Sequence, residues 1–132
     1  MTQKVFNPKD FLGLAQRLLS STFKEREATL RTAISRAYYS CFLVCKQIAI
    51  NNGEIWLKDY DKEDFPRPGE IHQAVRDALF NLSLGDVASK LYSLFEKRVN
   101  ADYKIFETIV DKDVHEAIKI ALDIENLVSA YE

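Results

Sequence analysis

Glycine and proline are scarce in this chain, at four and three of 132 residues. That is about half the usual share of each. A hairpin-rich all-β fold needs turn residues every 8–12 positions or so, and this composition does not supply them. Long apolar runs are missing too. None approaches the ~18 residues of a membrane span, and charged residues make up 29% of the chain. Cysteine is limited to Cys41 and Cys45, and the first residues carry no apolar signal-peptide core. A reducing, cytoplasmic setting is the expectation. Charge of one sign is lacking as well. The net is −2, which gives no global electrostatic case for nucleic acid. At this length, residues 1–132 are expected to form one domain.

The balance conceals an asymmetry. Residues 1–52 carry eight basic and three acidic side chains, whereas residues 70–132 carry seven and twelve. Antiparallel helices from the two ends, pairing charges within one domain, account for this pattern.

What the chain does have is helical spacing. Asn7-Pro8 with Asp10 following reads as a helix start, and Phe11, Leu14, Ala15, Leu18 and Leu19 then recur on one face. Thr22-x-x-Glu25 reads as a capping box opening a long helix from about Phe23 to Ile50. Its apolar stripe is Leu30, Ala33, Ile34, Ala37, Tyr38, Cys41, Cys45, Ile48 and Ala49. Asn51-Asn52-Gly53 should end it, and residues 54–69, with Pro66, Pro68 and five acids, read as an exposed loop or short helical turn. A third helix is expected over Glu70–Phe80. Ser83-x-x-Asp86 restarts helix toward residue 100, with Val87, Leu91, Leu94 and Phe95 inward. Asp113-x-x-Glu116 opens the last, which buries Val114, Ala117, Ala121, Ile124 and Val128. The sequence predicts an all-α, up-and-down bundle of four or five helices.

Conventional catalytic signatures are missing. There is no phosphate-cradling glycine loop, nucleophile elbow or paired-histidine zinc motif. His72 and His115 lie in different helices, and no metal or cofactor is expected. Cys41 and Cys45, four apart on the apolar stripe, read as core thiols out of disulfide reach.

Three features break the rules of a plain bundle. Arg36, Tyr39 and Leu43 fall opposite the buried centre of the long helix, which marks a second contact surface, a dimer or partner interface. Arg98 continues the inward series 87, 91, 94, with Asp102 one turn later. Arg before Asp is the weaker order, and an acid near a helix C-terminus opposes the macrodipole. Either a site or a structural ion pair holds them there. His72 sits in the first turn of its helix, where a neutral imidazole is favoured.

The run Arg31-Thr-Ala-Ile-Ser-Arg36-Ala-Tyr38-Tyr39-Ser-Cys-Phe42, then Gly69-Glu-Ile-His72-x-x-Val75, then Leu91-x-x-Leu94-x-x-x-Arg98-x-x-Ala101-Asp102-Tyr103, resembles the HEPN superfamily. The similarity is to its small stand-alone prokaryotic members and covers nearly the whole chain. The resemblance implies a HEPN-like bundle that forms a homodimer through its long helices, with a site near the dimer axis. Many such proteins are metal-independent endoribonucleases of toxin or defence type that use the RNA's own 2′-OH, and many are encoded beside a minimal nucleotidyltransferase. Arg98 matches the family's arginine. The family's histidine would fall at Tyr103, Lys104 or Ile105, and none of these is histidine. Candidate catalytic residues are therefore Arg98, Asp102 and Tyr103. Arg36, Arg98 and Asn100 are the candidate contacts for RNA or nucleotide phosphate, and Arg36, Tyr39 and Leu43 the candidate dimer face. A non-catalytic partner of a nucleotidyltransferase is the alternative, and a plain helical scaffold a third.

Overall fold

The computed structural model describes residues 5–62 and 68–132. Five α-helices follow one another: α1 (Asp10–Leu19), α2 (Arg26–Asn51), α3 (Ile71–Asn81), α4 (Gly85–Tyr103) and α5 (Asp111–Val128). Short 3₁₀ helices cover Ile55–Asp61, Pro68–Glu70 and Ser129–Tyr131. No strand occurs among the described residues, so the protein is an all-α helical bundle. No helix among them is long and apolar enough to cross a membrane.

The long helix α2 lies at the centre, against α1, α3, α4 and α5. All nine residues of its expected stripe are buried, and so are Thr29, Ser35, Ser40, Phe42 and Val44. A helix enclosed on most sides cannot keep a polar half, which is why its burial exceeds one stripe. Small side chains at 33, 37, 41, 45 and 49 form a ridge along it, so a neighbour can approach closely. Cys41 lies on that ridge, its Sγ 3.6 Å from the Ala121 carbonyl of α5. Burial pushes both thiols up, Cys45 to about 12, so they stay protonated. On α3, Ala74, Val75, Ala78 and Leu79 are buried and Ile71 partly so, and the expected inward face of α5 is found. Val114, Ala117, Ala121, Ile124 and Val128 are fully enclosed.

Most differences from expectation lie at helix ends. Asn7 does cap a turn, accepting the Lys9 N–H at 3.0 Å, but α1 proper starts at Asp10. Its buried residues are Leu12 and Ala15, and Leu14 faces solvent. The Thr22 capping box does not form. The α2 helix begins at Arg26, whose guanidinium turns back to the Leu19 and Ser21 carbonyls (2.9 and 3.2 Å) and pairs with Asp111 at 3.0 Å. The carbonyls left open at the end of α1 recruit that cation and keep residues 20–25 out of helix.

At its other end α2 stops as expected. Gly53, at φ 110°, lets its own N–H reach the Ile50 carbonyl and the Glu54 N–H reach the Ala49 carbonyl. The same motif ends α3, with Ser83 in the glycine position at φ 63°. Ser83 N–H donates to Phe80 and Leu84 N–H to Leu79. Ser83 therefore terminates α3 and does not cap α4. Asp113 likewise is not the cap of α5. It lies inside the first turn, and its carboxylate accepts the Val110 N–H at 2.8 Å.

Within the expected 54–69 loop, the Ile55–Asp61 turn is anchored by fully buried Leu57 and by a Lys46–Asp61 pair at 2.5 Å. Residues 63–67, with Pro66, lie outside the described residues. Lys9–Glu132 and Arg26–Asp111 join the basic first segment to the acidic last one. The charge asymmetry is thus paired in part inside the domain.

Candidate functional site

Arg98 projects from α4 toward α2, because it continues the inward series of that helix. Its Nε lies 3.0 Å from Asp102 Oδ2 as an ion pair, without the N–H aimed at that oxygen. Its Nη2 donates to Tyr39 Oη at 2.9 Å and more weakly to Tyr103 Oη at 3.4 Å. The Tyr39 and Tyr103 ring centres lie 5.2 and 5.4 Å from the guanidinium carbon, within cation–π range.

The cluster continues across α2. Ser35 donates to Asp102 Oδ2 at 3.2 Å, and Arg36 Nη2 donates to Ser35 Oγ at 3.3 Å. Arg36 also lies over the rings of Phe11 and Tyr39, at 4.9 and 5.1 Å. One carboxylate, Asp102, is thus paired with Arg98 and linked through Ser35 to a second guanidinium, that of Arg36. The cluster has cationic charge to spare for an incoming anion.

Asp102 stands against the macrodipole at the end of α4, and the structure supplies the compensation. Arg31 of α2 places Nη1 on the carbonyls of Asn100, Ala101 and Lys104, at 3.2, 2.9 and 3.3 Å, and Nη2 on that of Glu107. Its Nε pairs with Glu27 at 3.1 Å. A cation from another helix thus caps α4 where the acid sits.

The expected site residues divide. Arg36, Tyr39, Arg98, Asp102 and Tyr103 come together. Leu43 lies further along the half-buried stripe of α2, in a groove of about 310 Å³ shared with Phe6, Lys46 and Ile50. Asn100 lies elsewhere. It lines a small cleft with Lys97, Glu107 and Asp113, because two residues beyond Arg98 on a helix is the opposite side. Arg31 and Ser35 escape the sequence reading as site residues, although both stand inside the motif run that starts at Arg31.

His72 is half-buried among Tyr38, Tyr39, Phe42 and Phe95, its Nδ1 2.6 Å from Tyr38 Oη. Burial first, then Arg98 and Arg76, lower its pKa to about 4, so the imidazole is neutral at pH 7. A neutral ring that resists protonation is no general acid near pH 7. The cluster can hold an oxyanion more readily than it can shuttle protons.

A pH signature follows. Between about pH 6.5 and 4 the unfolded chain takes up a proton at His72 that the folded protein refuses, so stability falls as pH falls through that window. The half-exposed ring keeps part of its hydration, which limits the effect to about 1–2 kcal/mol. His72→Phe should therefore be less stable than wild type at pH 7, for want of the Tyr38 hydrogen bond. Denaturant titrations should find that gap narrowing toward pH 4.5. A gap independent of pH would show that the imidazole does not titrate this way.

No family model matches the chain, and no solved structure does. Over 61 residues, 46% of this chain, it is 38% identical to an uncharacterized protein, MJ0628, of Methanocaldococcus jannaschii. The match spans about a third of that relative's length, 34%.

Proposed function

We propose that this chain is a HEPN-like homodimeric module that binds the phosphate of RNA or of a nucleotide at Arg98 and Arg36. The observation that supports it most is the fixed guanidinium of Arg98, held by Asp102, Tyr39 and Tyr103, with Arg36 joined to the same cluster through Ser35. A planar cation with a rigid fork is the side chain best suited to an oxyanion. Metal-independent cleavage is the stronger form of the proposal. In that form the RNA's 2′-OH gives its proton to Asp102 and attacks the adjacent phosphorus, while Arg98 stabilises charge on the phosphate. The P–O5′ bond breaks as a 2′,3′-cyclic phosphate forms, and Tyr103 protonates the leaving 5′-oxygen. The half-buried stripe of Arg36, Tyr39 and Leu43 is the proposed dimer face, which would bring two such clusters near one axis.

Labelled RNA incubated with the purified protein in EDTA tests the site. Wild type should bind at least about tenfold more tightly than Arg98→Ala, the worth of one charge-assisted phosphate contact. Cleavage that the variant loses would establish the enzyme, and equal binding and equal cleavage by both would remove Arg98 from the function. Light-scattering detection after size exclusion tests the dimer. Wild type should be dimeric and Leu43→Asp monomeric; a monomeric wild type, or an unaffected mutant dimer, overturns the proposed face.

A second reading has its own observation. In the α4–α5 connection Phe106 is 97% exposed and Ile105 76%. Large apolar side chains this open fit a protein partner, such as the nucleotidyltransferase that the family resemblance implies. In that case the module acts by association, without catalysis.

A further inference from the structure

Arg76 of α3 is the most deeply placed cation in the described protein, at 7% exposure. Its guanidinium lies against the adjacent rings of Tyr92 and Phe95, 4.9 and 5.0 Å from their centres. Nη2 donates to Gln73 Oε1 at 2.9 Å, whereas Nη1 is buried with no acceptor. Among the described residues no carboxylate pairs with it. The nearest one bonded into the group is Asp77, which is taken up by the Gln73 amide at 2.8 Å. Among the described residues Arg76 therefore has no paired counter-ion, and its field helps to lower His72.

A buried cation without a counter-ion is costly to keep in a fold. This one borders an open groove of about 440 Å³ between α3 and α4, within the size range of small-molecule sites. Ser89 and Ser93 place hydroxyls along the groove, and Phe80 and Tyr92, 58% and 47% exposed, place two rings there. Exposed Gln73 supplies the neutral acceptor that an anion would replace.

We infer that the α3–α4 groove is a binding site for a small organic oxyanion, a phosphate or carboxylate carried on a flat apolar ring, with Arg76 as its counter-ion. The oxyanion displaces Gln73 and takes the guanidinium and the serine hydroxyls, while the ring lies on Phe80 and Tyr92. The site is separate from the Arg98 cluster and does not depend on RNA binding there.

Phenyl phosphate, benzoate, inorganic phosphate and neutral benzyl alcohol, titrated into the ¹⁵N-labelled full chain, test it. Phenyl phosphate or benzoate should move the amide signals of Gln73, Ser89, Tyr92 and Ser93, and whichever binds tighter names the anion. Inorganic phosphate should act at the same amides about tenfold more weakly, and the alcohol hardly at all. Ser93→Glu, an exposed substitution that puts a carboxylate in the groove, should abolish the response, whereas Arg98→Ala should leave it intact. Arg76→Met should lose binding without a lower Tm, because the thioether packs against the two rings and no charge remains buried. No shift from either aromatic anion at about 10 mM, or a response that survives Ser93→Glu, overturns the site. So does an Arg76→Met protein that is folded and still binds.

Discussion

Arg31→Met should lower the stability of the protein by about 3 kcal/mol, a fall in Tm of about 10 °C for a domain of this size. The magnitude follows from what the side chain holds. A mostly buried guanidinium satisfies four carbonyls at the end of α4 and the start of the following connection, and pairs with Glu27. Each charge-assisted bond contributes about 1.5–3 kcal/mol in isolation, but the four share one cation and do not add. Removing it leaves the carbonyls half-desolvated and exposes Asp102 to the uncompensated dipole of its own helix. Lysine should recover only part of the loss, since a point charge cannot reach carbonyls on two sides of the connection as a planar fork does. Hydrogen exchange gives a local check. The Lys104 amide, bonded to Asn100 at 3.2 Å, should lose protection before the amides of α5 do. A loss under about 1 kcal/mol, or full rescue by lysine, would show that Arg31 does not hold the α4 terminus.

Much of the architecture is legible because long helices write their burial into the sequence. The α5 face and the α2 stripe recur at helical spacing and are enclosed, and α3 and α4 bury most of theirs, with Ile71 and Phe95 only partly covered. Helix ends are less legible, since a cap depends on backbone torsion and on distant partners. Ser83 stands three residues before Asp86 in the pattern of a start signal, yet its positive φ makes it the stop of the preceding helix. Thr22 loses its expected role to Arg26, a cation claimed by the last carbonyl of α1 and by that of Ser21 just beyond it. The site shows the same division. Arg98 and Asp102 announce themselves by violating helix electrostatics. The feature that permits the violation, Arg31, belongs to no local pattern with them. It lies 70 residues before Ala101, and only the fold brings it to that carbonyl. Arg76 is invisible in the sequence for a related reason. Next to Ala74 and Val75 it looks like an ordinary surface arginine, and only packing shows it buried against two rings.

Asp102→Asn decides what the Arg98 pair is for. Asparagine keeps the size of the side chain and an acceptor for Ser35, and it removes the negative charge that is paired with Arg98 and linked to Arg36 through Ser35. If the arginines contact phosphate, the variant should bind single-stranded RNA about threefold to tenfold more tightly at 50 mM salt or so, because a repelling charge is gone. The gain should shrink at about 200 mM, as salt screens the added attraction. If Asp102 also works in cleavage, affinity and rate should part company, with tighter binding and slower turnover. A purely structural pair gives a different result. Stability would fall by about 1–2 kcal/mol for a half-buried ion pair that loses its anion, and RNA affinity would not move. Fluorescence anisotropy of a labelled RNA at the two salt concentrations, beside a urea titration of both proteins, separates the cases. Unchanged affinity together with lost stability would leave Arg98 as a fastener between α4 and α2, and the phosphate-binding proposal would fall with it.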